Sequence, residues 1–159
     1  AMTAHHHAFG DTAMVIQWHI VGMFAPAFFT GTLINRFGVL KIMLSGTVLM
    51  VACVAVALSG FEFLYFWSSL LLLGLGWNFL FVGGTTLLTE CYGPAEKAKV
   101  QAINDFLVFG TVAAASLTSG TLLHLIGWHA VLYGALPFLA ITGLASLWLL
   151  RRNPVGNVG

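Results

Sequence analysis

The chain has 159 residues, of which 59% are hydrophobic and 7% charged, and its mean hydropathy is +0.95. A soluble domain carries about 25% charged residues, so six basic and five acidic side chains cannot clothe a water-soluble globule of this length. A formal net charge of +1 gives no basic footprint for nucleic acid, and the composition is that of an integral membrane protein.

Residues 1–10 have neither the basic start nor the apolar run of a secretory signal peptide. They include the triplet His5, His6 and His7, too short to read as a purification tag. Five apolar stretches then reach the roughly 20 residues that a spanning helix needs: 13–34, 39–59, 63–88, 103–126 and 128–150. The runs are continuous, whereas barrel strands would be about ten residues long and alternate in polarity. The expectation is an all-α integral membrane fold of five transmembrane helices, with an outer tail at 1–12, a bundle at 13–150 and a cytoplasmic tail at 151–159. Cys53 and Cys91 fall in different segments or their flanks and make neither a disulfide framework nor a CxxC site.

The first segment carries Gln17, His19 and Thr30, and Pro26 is expected to kink it. The second is nearly free of polar residues. The third carries Ser68, Ser69, Asn78, Thr85 and Thr86, with Trp77 beside the amide, and Gly74, Gly76, Gly83 and Gly84 allow bending or close backbone contact. The fourth opens on Asn104 and Asp105 and continues with Thr111, Ser116, Thr118 and Ser119. The fifth contains Pro137, a second expected kink. Polar groups at membrane depth face other helices or a wet cavity, so the first, third and fourth segments are expected inside and the second and fifth against lipid. The small-residue pairs Ala27 and Gly31, Gly110 and Ala114, and Ser116 and Gly120 offer close-approach faces.

Strict alternation across the membrane puts Arg36, Lys41, Lys97, Lys99, Arg151 and Arg152 on one side, which the positive-inside rule makes cytoplasmic. The N-terminus is then outside and the C-terminus cytoplasmic. The histidines sort to the outer side: His5, His6, His7 and His129 in outer segments, His19 and His124 near outer helix ends. Imidazole binds metals and titrates near neutrality, but it is also tolerated at the interface, and three consecutive histidines lack the i, i+4 spacing of a helical ligand pair. No metal site and no cofactor are expected.

Residues 31–41 join two helices through a very short turn, in which Gly38 can take a positive φ and Arg36 can bond helix-end carbonyls or a neighbouring carboxylate. By physics alone this is equally a basic inner loop with a turn glycine. The stretch resembles the signature loop of the major facilitator superfamily of secondary transporters, approximately G-x-L-x-D-R-x-G-R-R, which joins the second and third helix of each six-helix half. Gly31, Leu33, Arg36 and Gly38 match in register. Asn35 stands for the usual aspartate, Val39 and Leu40 for basic residues, and Lys41 supplies a positive charge late, a weakened copy typical of the second half.

The resemblance implies that the five segments are helices eight to twelve, that residues 1–4 are the outer tail of a missing seventh helix, and that residues 89–99 are the loop between helices ten and eleven. It also implies alternating access, two halves rocking around a midplane site, with Arg36, Glu90 and Asp105 as a cytoplasmic latch. Gln17, His19, Trp77 and Asn78 are the substrate-facing candidates, with interhelical hydrogen bonding as the other role open to each. Expected partners are a small, largely neutral or amphipathic solute, the bilayer of a bacterial inner membrane, and the missing N-terminal helices. A proton is a candidate coupling ion, with His19 as its candidate acceptor. Five helices alone are not expected to transport. Two other classes are a small membrane assembly subunit and a membrane metalloenzyme using the outer histidines; the absence of an HExxH-like spacing and the motif loop favour the transporter.

Overall fold

The computed structural model describes residues 8–152; His5, His6 and His7 and the tail from 153 lie outside the described residues. Six helices follow one another: α1 (Phe9–Phe24), α2 (Ala27–Phe37), α3 (Val39–Ser59), α4 (Phe63–Thr89), α5 (Lys97–Leu125) and α6 (Trp128–Arg152). Among these, α3, α4, α5 and α6 are each long and apolar enough to cross a bilayer, and α1 and α2, joined at a 41° bend, are so as a pair. The first expected segment is therefore broken, and at the expected residue. Pro26 has no backbone N–H, so the Gly22 carbonyl loses its i+4 donor, and α2 starts afresh immediately after Pro26.

Helix ends extend past the apolar stretches wherever polar residues suit a terminus. The chain becomes helical at Phe9 rather than 13, with Asp11 in the first turn, where the helix dipole favours an anion. α5 begins at Lys97 rather than 103 because Pro94 opens a short 3-10 turn, Pro94–Glu96, that launches it. Arg151 and Arg152 close α6 in its last turn. α6 runs through Pro137 without interruption.

α4 is the centre of the bundle, packing most extensively on α3 and next on α1, while α3 also packs on α6. Glycines set these contacts. A Cβ at Gly74 would stand 2.6 Å from the His19 carbonyl oxygen, and one at Gly22 would stand 3.2 Å from the Leu71 carbonyl oxygen, so α1 and α4 meet backbone to backbone. On the other face of α4, a Cβ at Gly76 would lie 3.0 Å from the Gly46 carbonyl oxygen, and one at Gly83 would collide with Met43 at 2.6 Å. In the first half of α1 and at the start of α4, Val15 and Phe66 are buried against Phe63, Trp67, Leu70 and Trp128. The Trp128 indole N–H donates to the Ala57 carbonyl at 3.3 Å and ties α6 to α3.

Two expectations are not met within the described part of the chain. Gly31, Gly110 and Gly120 meet nothing within 4 Å, so the small-residue pairs containing them are not contact faces among the described residues. The polar and apolar helices also do not divide as expected. Within this chain α3 is the most buried span, 33% against 0% for α5, despite the hydroxyls of α5. The reason lies in the hydroxyls themselves. Thr118 donates to the Ala114 carbonyl at 2.8 Å and Ser119 to the Ser116 carbonyl at 3.0 Å, each inside its own helix. A Ser or Thr satisfied by the preceding turn needs no partner helix.

Gly74→Ala and Gly84→Ala separate contact from propensity. Gly84 meets nothing within 4 Å, so alanine there gains helix propensity of up to about 1 kcal/mol. At Gly74 the added methyl forces α1 off α4, a cost of about 1–3 kcal/mol. Thermal midpoints in one detergent should therefore fall for Gly74→Ala and hold or rise for Gly84→Ala.

Candidate functional site

The break in the first span leaves polar backbone inside an apolar bundle, and α4 answers it. The last helical bond of α1 runs from the Ala25 N–H to the Val21 carbonyl at 2.9 Å. α2 restarts with the N–H groups of Phe29 and Thr30 both donating to the Pro26 carbonyl at 2.8 Å. Between them the Met23 carbonyl accepts from Nδ2 of Asn78 at 2.7 Å. That bond fixes the amide: its nitrogen faces a carbonyl, so Oδ1 faces the Thr30 hydroxyl, 2.6 Å away. Asn78 is 3% and Thr30 0% exposed, and among the described residues no buried side-chain nitrogen or oxygen lacks a partner. One amide thus binds both halves of the bent span.

About a turn above, half-buried His19 donates Nδ1–H to the Leu70 carbonyl at 2.8 Å. A carbonyl only accepts, so the proton sits on Nδ1, and Nε2 is the acceptor of the neutral ring. Trp18 meets Trp67 edge to face, with ring centroids 6.0 Å apart.

The four substrate-facing candidates therefore separate. His19 and Asn78 meet on the seam between α1 and α4, each tied to backbone across it. Trp77 points to the other side of α4. Its ring is stacked with Phe81 at 5.9 Å, and it lines an open groove of about 330 Å³ with Leu107, Val108, Thr111 and Val112 of α5. Phe81 in turn meets Phe109 of α5 at 6.0 Å. Gln17 is exposed on α1 and makes no hydrogen bond to a described residue.

At the inner-loop motif, Gly38 takes φ 90°, ends α2 through its N–H to the Ile34 carbonyl at 2.8 Å, and starts α3. Leu33 is half-buried, while Gly31, Asn35, Arg36 and Lys41 are exposed. The Arg36 guanidinium lies over the Phe37 ring at 5.3 Å. Glu90, exposed, closes α4 through its N–H to the Leu87 carbonyl at 3.2 Å. Exposed Asp105 accepts from the Asn104 amide at 3.2 Å. Among the described residues, Arg36 makes no ion pair with either acid, nor do three His, Cys, Asp or Glu side chains gather as a metal-binding group. The residue that sequence reasoning left out of the site is Thr30, whose signal was its place four residues after Pro26 in a span facing an Asn-bearing helix.

A family model described as Major Facilitator Superfamily matches residues 1–159. The chain is 47% identical over 156 residues to the riboflavin transporter RfnT of Brucella anthropi, covering 98% of this chain and 39% of that protein. It is 37% and 34% identical over 121 residues to two uncharacterized MFS-type transporters of Bacillus subtilis, YdeG and YddS, covering 75% of this chain and 28% of each. No solved structure matches.

Asn78→Leu removes both bonds of the amide and leaves the Met23 carbonyl unsatisfied. Interhelical hydrogen bonds in membranes contribute about 0.6–2 kcal/mol each, so the thermal midpoint should drop by more than for Gln17→Leu, whose amide ties no described residue. Equal midpoints for the two variants would contradict the clamp.

Proposed function

The chain belongs to the major facilitator superfamily, and on that footing we propose that it forms the last five helices of a secondary transporter that moves a small solute across a bacterial inner membrane. The observation that carries this reading is the 47% identity to a riboflavin transporter along 98% of the chain. The chain spans 39% of that protein, and in this reading the further helices that a two-sided site needs come from outside the 159 residues. The solute class we infer is riboflavin or another flat, uncharged heteroaromatic. Spans nearly free of charge and rich in aromatics suit such a solute: apolar walls bury its faces while a few polar groups orient it.

Alternating access follows from the family architecture, two halves rocking about a central site. The multi-pass chain places its six basic residues on the cytoplasmic side under the positive-inside rule, with the N-terminus outside. Arg36 at the end of α2, with Glu90 at the end of α4 or Asp105 early in α5, is then assigned to a cytoplasmic latch that closes in one state of the cycle. Gln17 is the preferred solute contact on α1, because a primary amide left unsatisfied against lipid is costly and this one is free of protein partners among the described residues. Trp77 presents a ring face in the α4–α5 groove. Proton coupling, where this part supplies it, is assigned to His19, whose Nδ1–H is committed to Leu70 and whose Nε2 can take up a proton.

Two measurements check this reading. The intact transporter should restore growth of a riboflavin auxotroph at limiting riboflavin and give saturable uptake of labelled riboflavin. Uptake of an unrelated solute in its place would remove the flavin assignment and leave the transporter. Glu90→Arg should slow transport up to about fivefold, the scale of one exposed ion pair, with partial recovery in the Arg36→Glu, Glu90→Arg double variant. Full activity of both single variants would remove Glu90 from the latch.

A further inference from the structure

α1 and α2 are attached to α4 unequally, and the change comes at Pro26. On the α1 side stand the backbone contact of Gly22 with Gly74, the bond from His19 to the Leu70 carbonyl, and the bond from the Asn78 amide to the Met23 carbonyl. On the α2 side only Thr30 and Ile34 are buried, one turn apart. Phe28 and Phe29 are 85% and 68% exposed, and Gly31 meets nothing within 4 Å. α2 is also bounded by a break at each end, the 41° bend before it and Gly38 at φ 90° after it.

The attachment of α2 runs through a hydroxyl with two acceptors. Thr30 Oγ1 lies 2.6 Å from Asn78 Oδ1 and 2.8 Å from the Pro26 carbonyl, and it has one proton to give. Donation to Asn78 docks α2 on α4. Rotation onto the Pro26 carbonyl is the ordinary back-bond of a helical threonine to the preceding turn, and it keeps the proton satisfied without α4. The amide keeps its own hold on α1 through Met23 in either case.

We propose that α2 is a lever pivoting between Pro26 and Gly38, and that the Thr30 hydroxyl, exchanging between Asn78 and the Pro26 carbonyl, is its catch. Detaching a polar group inside a bilayer ordinarily leaves both partners unsatisfied at a cost of several kcal/mol each; here the moving element carries a second acceptor for the hydroxyl, so the cost falls on Asn78 Oδ1 alone. α1 stays fixed while α2, with Arg36 in its last turn, moves. Asn78 and Thr30 are thus positioning residues. The proposal rests on the transporter reading for its purpose only, since the motion needs no particular solute.

Spin-label distances in the intact transporter in lipid nanodiscs, without solute, test it. One pair is Thr32→Cys with Thr89→Cys, across α2 and α4; the other is Ile16→Cys with Leu64→Cys, across α1 and α4, all four positions being exposed. Both are made in a Cys91→Ser background, since Cys91 is exposed and Cys53 buried. Thr30→Val should shift the α2–α4 pair toward its longer distance by about three- to thirtyfold in population, the range expected for one interhelical hydrogen bond. The α1–α4 pair should not move, and Thr30→Ser, which keeps the hydroxyl, should restore the original distribution. Thr30→Ala replaces the valine variant if that does not insert. An unchanged α2–α4 distribution, or equal broadening of both pairs, would overturn the proposal. Riboflavin uptake is measured separately; its absence with the distances behaving as expected would remove the solute and leave the lever.

Discussion

A proline inside a membrane span removes one donor and displaces others, and in a bilayer water cannot replace them. The whole first half of this chain is arranged around that constraint. Pro26 breaks the first span, and Asn78, one turn after Gly74 on the central helix, reaches the exposed Met23 carbonyl. The reach is possible because Gly22 and Gly74 let the two backbones touch. A side chain at Gly74 would collide with the α1 backbone and carry the Asn78 amide away from Met23. Break, glycine contact and amide are therefore one unit, and the position of α2 follows from it.

The same logic orders the rest of the bundle. α4 uses opposite faces for its two neighbours, Gly74 toward α1 and Gly76 and Gly83 toward α3, so it is clasped on both sides by backbone-level contacts. α5 meets α4 through the rings of Phe81 and Phe109. No residue of α5 is buried by the described part of the chain. That leaves an open groove between Trp77 and α5 side chains on one side of α4 and a tight polar seam holding His19 and Asn78 on the other.

Much of this was legible in the sequence. Hydropathy and length gave the five spans, and the bend fell at the proline expected to make it, because both depend on local chemistry alone. Gly38 at positive φ was likewise readable from a two-helix turn with no room for more residues. The errors came where local chemistry is silent. The glycines of the third segment expected to allow close contact do so at Gly74, Gly76 and Gly83. Glycine spacing also named Gly31, Gly110 and Gly120, which meet nothing among the described residues, and passed over Gly22 and Gly46, which do make contacts. Which glycine touches a neighbour depends on how each helix is rotated, and a repeat of four does not encode rotation. The role of Asn78 was open for the same reason: solute contact and interhelical bond require the same residue type at the same depth.

Polar composition does not track which helices pack within the described part of the chain, and the donors and acceptors explain why. Ser and Thr carry one proton and sit close enough to their own backbone to give it to a carbonyl three or four residues back, as Ser45, Thr86, Thr118, Thr142 and Ser146 do here. Such residues make a helix look polar without creating any demand for a neighbour. An amide or an imidazole reaches past its own turn and carries groups that the turn cannot satisfy. Asn78 and His19 are accordingly the two side chains that bind α4 to α1 through hydrogen bonds. Thr30 stands between these classes, since its proton has an acceptor on its own helix and another on α4. In a span of this kind, the polar residues that decide packing are those whose hydrogen-bonding capacity exceeds what one helix can absorb.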